Sequence, residues 1–468
     1  MEQTITLPYW LFILLSLFTL LLVFDRVLFP SVRWYFQRRV NRVIKEVNTR
    51  LDIEIRPFQL TRKQALVDQL LFDEKVIDAI KDYAKEQEMP LEIAQAKAHK
   101  YASEIAPTFN AYIYFRFGNW LAKKVSRLIY RVRVGIYDNN GIKKIAKGST
   151  VVLVMNHRSN MDYVLVSFLI GEKVALSYAV GEWARIWPLQ TLIKAMGAFF
   201  VRRGSNNSLY RRVLERYVNL ATRAGVCQAV FLEGGLTKDG KIREPKLGFM
   251  DYMLRDYHST IDRDIVFIPV GINYDRVLED KSLIRGLDTD AQTRSRWFVL
   301  KTSCRFFFKT LLKKRKARWQ RFGYASVNFG KPISAKQFSV QQNIDFSELD
   351  SRTRFREIKK LTDNLMEGIK EVIPILPVVL MSEILLSQSL HWKSELELKA
   401  LAMKRIDELE KLGAPIDLSV EAFEHVLSSA LERLVGRRFV EEKEGLYKIT
   451  AEAKTLLEYY ANSIEHWD

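Results

Sequence analysis

The residues best suited to chemistry stand together in Met155-Asn156-His157-Arg158-Ser159-Asn160-Met161-Asp162-Tyr163. The apolar run Thr150 to Met155 leads into this polar turn, and the pattern predicts a buried strand ending at Met155 with a helix after it. A histidine five residues before an aspartate, at a strand end that leads into a helix, lets the carboxylate hold one imidazole nitrogen and leaves the other as a general base. Deprotonation of an alcohol is the chemistry this suits. An H-x4-D spacing on its own is more often a packed or capping histidine, so other segments have to decide.

Three more segments follow in order. Gly197 to Arg203 puts Arg202 and Arg203 directly after an apolar run, where a guanidinium can grip a phosphate through two parallel hydrogen bonds. Phe231 to Lys241 ends a strand at Glu233 and continues into Gly234 and Gly235, whose missing side chains let a substrate approach the backbone. Phe267 to Asp275 reads as a strand with Pro269 inside it, which points to an edge or a bulge near the site. Taken singly these are surface arginines, a turn and a strand. Taken as an ordered set of four, coincidence is a poor explanation.

Elements must hold these residues, and the chain is long enough to supply them. Its 468 residues allow about three units at roughly 150 residues each, or one catalytic domain with helical additions. Lys+Arg 73 against Asp+Glu 55 gives a net charge of +18, which favours anionic partners such as phosphorylated metabolites, acidic carrier proteins, anionic lipid or nucleic acid. Hydrophobic content of 48% excludes a disordered or low-complexity chain. Two cysteines, Cys227 and Cys304, exclude a disulfide scaffold and point to a reducing compartment. Residues 31–135 are charged and helical in period, forming a lead-in. Residues 136–345 alternate short apolar runs with helical stretches, the pattern of an α/β domain with its chemistry on loops at strand ends. Residues 346–468 return to helix, and 421–465 reads as helix, hairpin and helix, a winged-helix-like end.

The N-terminus carries a further expectation. Leu7 to Phe24 holds no charged residue, and at about 1.5 Å per residue it would form roughly 27 Å of helix, close to the hydrocarbon thickness of a bilayer. Only Glu2 precedes the run, whereas Arg26, Arg33, Arg38, Arg39, Arg42 and Lys45 follow it. That asymmetry predicts an uncleaved single-pass anchor over 1–30 with the catalytic domain on the cytoplasmic side.

The four segments together resemble the glycerolipid acyltransferases, specifically the glycerol-3-phosphate acyltransferase family that includes the bacterial membrane enzyme. The likeness is carried by NHRSNMD, GAFFVRR, FLEGG and IPVGINYD in that order, and it extends to HKYASEIAPTFNAYIYFRF, YASVNFGKPIS and LLEYYANSI. The resemblance implies an α/β glycerolipid acyltransferase-like domain that moves a fatty acyl group from acyl-CoA or acyl carrier protein to the sn-1 hydroxyl of glycerol-3-phosphate, at a membrane and without a cofactor. It implies that His157 is the general base and Asp162 its orienting carboxylate. Arg158, Ser159, Arg202, Arg203, Glu233, Gly234, Gly235 and Lys238 would bind substrate, with Pro269 shaping the acyl-donor side. Backbone N–H groups near the helix that starts after Met161 would hold the oxyanion.

One departure bears on the acceptor. The family's third block usually continues after its two glycines with Arg-Ser-Arg, and here it reads Leu236-Thr237-Lys238. Lys238, Lys241, Arg202 or Arg203 would have to supply the missing charge, and a lysine offers a point charge where arginine offers a planar fork. A 1-acylglycerol-3-phosphate or another hydroxyl acceptor is the alternative, with an inactive membrane-tethered scaffold behind it. The stretch Lys301 to Arg321 mixes nine Lys or Arg with Phe306, Phe307, Phe308, Leu311, Leu312 and Trp319. It suits an anionic lipid surface, an acidic carrier protein or an ordinary solvated helix. Nucleic-acid binding is disfavoured because the basic residues flank the anchor and this stretch instead of collecting on one recognition helix. The remaining histidines are too scattered for a zinc site.

Overall fold

The structure, a computed structural model, describes residues 55–136, 138–171, 174–181, 189–202, 204–285, 322–388, 391–416 and 423–468, with Tyr9, Ser16 and Thr19. Residues 52–468 form one compact unit. The anchor expected over 7–24 and the basic stretch 301–321 lie outside the described residues, apart from those three. Among the described residues no helix is long and apolar enough to cross a membrane.

The architecture is mixed α/β around a largely parallel sheet. In chain order the strands are β1 (Arg131–Ile136), β2 (Thr150–Met155), β3 (Ser177–Gly181), β4 (Phe199–Val201), β5 (Gln228–Phe231), β6 (Ile265–Tyr274), β7 (Tyr324–Phe329) and β8 (Ile333–Ser334). They lie in the order β1-β7-β6-β2-β5-β3-β4, with β8 against β6. From β6 to β4 every neighbouring pair is parallel, so these strands end at the same edge of the sheet. Chemistry carried on the turns after β2, β4, β5 and β6 is therefore gathered on one side by topology alone.

Helices cover both faces. α1 (Lys63–Leu71), α2 (Glu74–Glu86) and α3 (Leu91–Ile105) precede the sheet, and α4 (Asn119–Ile129) leads into β1. α5 (Met161–Ile170) follows β2, α6 (Ser208–Arg223) precedes β5, and α7 (Gly248–Leu254) precedes β6. After β8 come α8 (Ser351–Lys370), α9 (Pro377–Ser387), α10 (Glu395–Lys411), α11 (Phe423–Gly436) and α12 (Lys454–Ala461). Local signals fix several starts: Asp73 caps α2 through the Lys75 N–H, Asp350 caps α8, and Ser394 with Glu397 forms a capping box on α10. A small sheet, β9 (Lys393–Ser394), β10 (Val440–Lys443) and β11 (Leu446–Ile449), joins the start of α10 to a hairpin after α11.

The alternation of β2 divides the interior in two. Val151, Leu153 and Met155 face a core built with α4, α5 and α9 to α12, through residues such as Ile129, Val166, Val379, Leu398, Leu427 and Leu457. Val152 and Val154 face the opposite core, built with α1 to α3 and α6 to α8, through Val67, Ile80, Ala98, Val213, Met250 and Leu361. Burial on both faces is why β2 reads as an unbroken apolar run.

Of the two alternatives the sequence offered for Pro269, the structure shows the bulge and not the edge: between the Phe267–Ile333 and Val270–Phe329 pairs, the partner strand carries one residue more than β6. β6 is an interior strand between β2 and β7, and Pro269 pairs with Val154 in its middle, with no free edge beside it. The proline is tolerated because its carbonyl accepts the Gly330 N–H at 2.8 Å, which aims its nitrogen to the same side. On that side pairing with β8 covers Val266 and Phe267, and pairing with β7 begins only at Val270, so the absent N–H falls in the interval between the two ladders.

Candidate active site

β2 and β5 are neighbours with Met155 opposite Phe231, so the turns that follow them leave the sheet side by side. Two hydrogen bonds stitch the turns together: the His157 N–H donates to Glu233 Oε1 at 2.8 Å, and the Thr237 N–H donates to the His157 carbonyl at 3.0 Å. Asn156 holds the other flank by exchanging two hydrogen bonds with the backbone of Ile272 on β6. The imidazole of His157 stacks on Phe231, ring centroids 3.9 Å apart, and meets Tyr163 edge-on. Its Nδ1 lies 2.9 Å from Asp162 Oδ2, with both side chains almost fully buried. Donation from Nδ1–H to the carboxylate selects the tautomer whose Nε2 lone pair accepts a proton.

Asp162 is held from all sides. Besides His157, its Oδ2 accepts the N–H groups of Arg158 and Ser159, at 2.9 and 3.1 Å, and its Oδ1 accepts the Tyr274 hydroxyl at 2.6 Å. This arrangement suits a group that steadies an imidazolium formed next to it. It also corrects the expectation for the oxyanion. The N–H groups of Arg158 and Ser159 serve Asp162, that of Asn160 serves Glu279, that of Met161 serves the Ser159 hydroxyl, and that of Asp162 serves the Ser159 carbonyl. The start of α5 is thus a cradle for a carboxylate of its own chain.

The other expected residues fall into separate places. Glu233 is buried and accepts a second N–H from Arg243, and burial pushes its carboxyl up to about 7. Gly234 adopts φ +68° in the turn after it, Gly235 is buried, and Lys238 is exposed at the turn's far end. Ser159 is fully buried, its hydroxyl donating to Glu279 Oε2 at 2.7 Å. Arg158 is buried away from solvent, donating to the carbonyls of Gly240 and Tyr459, with its guanidinium over the Tyr459 ring. Arg202 follows β4, three strand spacings from β2, which is roughly 14 Å. Its guanidinium forms two hydrogen bonds with Glu104, at 2.8 and 2.6 Å, and lies between the rings of Tyr101 and Tyr210. Here Arg158 and Arg202 are engaged by protein groups, contrary to a role as open substrate contacts. Arg203 lies outside the described residues. Among those described, no group of three or more His, Cys, Asp or Glu could hold a metal ion.

Residues 137–273 match the family model Acyltransferase, which spans β2 to β6 and both partners of the dyad. Residues 308–467 match the model Glycerol-3-phosphate acyltransferase C-terminal region. The chain carries an acyltransferase domain and is similar to the glycerol-3-phosphate acyltransferases. A glycerol-3-phosphate acyltransferase of Ectopseudomonas mendocina is 29% identical over 428 residues, covering 87% of this chain and 49% of that one. One from Pseudomonas fluorescens is 30% identical over 361 residues, covering 75% and 41%. One from Haemophilus influenzae is 26% identical over 430 residues, covering 87% and 50%. The chain spans about half the length of the curated relatives it matches. Among solved structures, a 1-acyl-sn-glycerophosphate (LPA) acyltransferase from Thermotoga maritima aligns with TM-score 0.30 and 14% identity, over 55% of this chain and 79% of that one, too loosely to weigh here.

Within this acyltransferase domain the sequence pattern pointed to both members of the dyad but not to their supports. Tyr274 sits in the quoted IPVGINYD segment, where a tyrosine at a strand end was the available signal. Glu279, which holds Ser159 and Asn160, and Tyr459, which meets Arg158 from the far end of the chain, left no signal of spacing.

Proposed function

We propose that this protein transfers a fatty acyl group from an acyl thioester to the sn-1 hydroxyl of glycerol-3-phosphate, giving lysophosphatidate. The observation that carries the reading is the buried His157–Asp162 pair at the C-terminal edge of the parallel strands. His157 Nε2 takes the proton of the acceptor hydroxyl as its oxygen attacks the thioester carbonyl, forming the new C–O bond. The tetrahedral adduct collapses with cleavage of the C–S bond, and the proton on His157 passes to the departing thiolate. Asp162, kept in place by Tyr274 and two backbone N–H groups, orients the ring and balances its charge during the interval.

The names of the relatives support glycerol-3-phosphate as acceptor, and the charge of +18 supports an anionic donor, acyl-CoA or acyl carrier protein. We further propose an anchor over 7–24, with lipid as the medium of the reaction and the catalytic domain cytoplasmic. The test is acyl transfer by purified protein in lipid, with a long-chain thioester and glycerol-3-phosphate, dihydroxyacetone phosphate or 1-acylglycerol-3-phosphate as acceptor. His157→Ala is expected to abolish turnover without loss of fold. Retention of activity within about tenfold would remove His157 from the chemistry.

A further inference from the structure

The third block, where the resemblance implies an arginine after the two glycines, carries Leu236 there. Two of the four cations that sequence offered in exchange are engaged elsewhere: Arg202 by Glu104, and Lys241 by Glu465 at 2.6 Å. The fold brings another cation to the same place. Lys246 is tied by its backbone N–H to the Leu232 carbonyl at 2.8 Å, which sets its side chain across the turn that carries Glu233 and Gly234. A Cβ on Gly234 would lie 2.7 Å from Lys246 Cδ and 3.3 Å from its Nζ. The space left by the missing side chain is therefore the path of the lysine's stem, and the ammonium lies beside the place a Gly234 side chain would take. Lys246 is exposed, and its side chain makes no hydrogen bond or ion pair among the described residues. The same turn is bonded to the backbone of His157 through Glu233 and Thr237, so Lys246 lies on the turn that adjoins the catalytic histidine.

We propose that Lys246 is the cation that receives the acceptor's phosphate monoester, laid over Gly234 in place of an arginine at position 236. The assignment rests on the acyltransferase reading and names how its acceptor is recognised. A lysine supplies a point charge with rotatable donors, so recognition here is expected to depend on charge more than on a planar fork.

The test compares the full chain in lipid with Lys246→Met and Lys246→Arg. The methionine variant is expected to raise KM for glycerol-3-phosphate at least about tenfold, as loss of a charge-assisted contact does, with kcat and the thioester KM within about threefold. Inorganic phosphate, as a competitive inhibitor, is expected to lose potency by the same factor, and Lys246→Arg to restore both. An unchanged KM in Lys246→Met overturns the assignment. An equal loss in the methionine and arginine variants also overturns it, because space and not charge would then be what matters. If the wild-type protein acylates none of the three acceptors, the reading under Proposed function fails first. Calorimetric binding of glycerol-3-phosphate to wild type and Lys246→Met then decides the assignment by itself: weaker binding by the variant upholds it, and equal binding overturns it.

Discussion

At the scale of single residues, the dyad is held by groups that do no chemistry themselves. The Tyr274 hydroxyl reaches Asp162 from the neighbouring strand, and Tyr274→Phe removes this bond with little change of shape. Loss of one buried hydrogen bond, about 1 kcal/mol, predicts a fall in kcat of several-fold with both KM values unchanged, measured by steady-state kinetics. Glu233 offers a pH signature. Burial raises its carboxyl from 4.5 to about 7, so between those values the folded protein keeps a proton that the unfolded chain releases. The stability from this group is complete below about pH 4.5 and is lost as pH rises through about 7. Glu233→Gln, which cannot ionise, is expected to flatten the dependence of Tm on pH across that window in calorimetric scans. A slope identical to wild type would place the titration elsewhere.

At the scale of elements, the end of the chain locks the catalytic turn. α12 carries Tyr459, whose carbonyl and ring receive Arg158, while the Tyr459 hydroxyl donates to the Arg158 carbonyl. Asn462 donates to the Asp239 carbonyl, and Lys241 pairs with Glu465. Between them Gly240 has φ +89°, and a Cβ there would sit 1.9 Å from the Tyr459 carbonyl oxygen. Gly240→Ala therefore adds a strained backbone to a clash with a neighbouring main chain. A loss of at least about 2 kcal/mol is expected in denaturant titration, together with lower activity, because the displaced turn also carries Thr237 on His157.

At the scale of the whole unit 52–468, buried ion pairs weld the C-terminal helices to the sheet. Asp275, just beyond β6, accepts the N–H groups of Tyr324 and Val378 and pairs with Arg433 of α11 at 3.2 Å. Asp280 pairs with Arg437 and accepts the Tyr460 hydroxyl at 2.6 Å. Burial raises the Asp275 carboxyl, with Arg433 opposing that rise. Removing the arginine leaves a buried carboxylate without its partner charge. Arg433→Met is expected to cost about 3–5 kcal/mol, and the unit is expected to unfold in one cooperative calorimetric transition in wild type. Separate melting of the C-terminal helices would show that the weld is weaker than its burial implies.

How much of this was legible in the sequence depended on the distance over which each signal acts. The β2 run, the turn after it, and the spacing of His157 and Asp162 are local, and chain geometry within a few residues settles them. The α/β alternation was likewise visible, because apolar runs and helical periods are written residue by residue. What only the tertiary structure decided involves partners far apart in the chain. Arg202 and Arg158 look like free cations until Glu104 and Tyr459 are folded against them, and no spacing announces a partner 98 or 301 residues away. Pro269 reads as an edge or a bulge because a missing N–H is costly inside a sheet, and only the offset between two ladders decides for the bulge. The sequence shows that an arginine is absent at Leu236, whereas the placing of Lys246 across Gly234 depends on a backbone bond that exists only once the turn has closed.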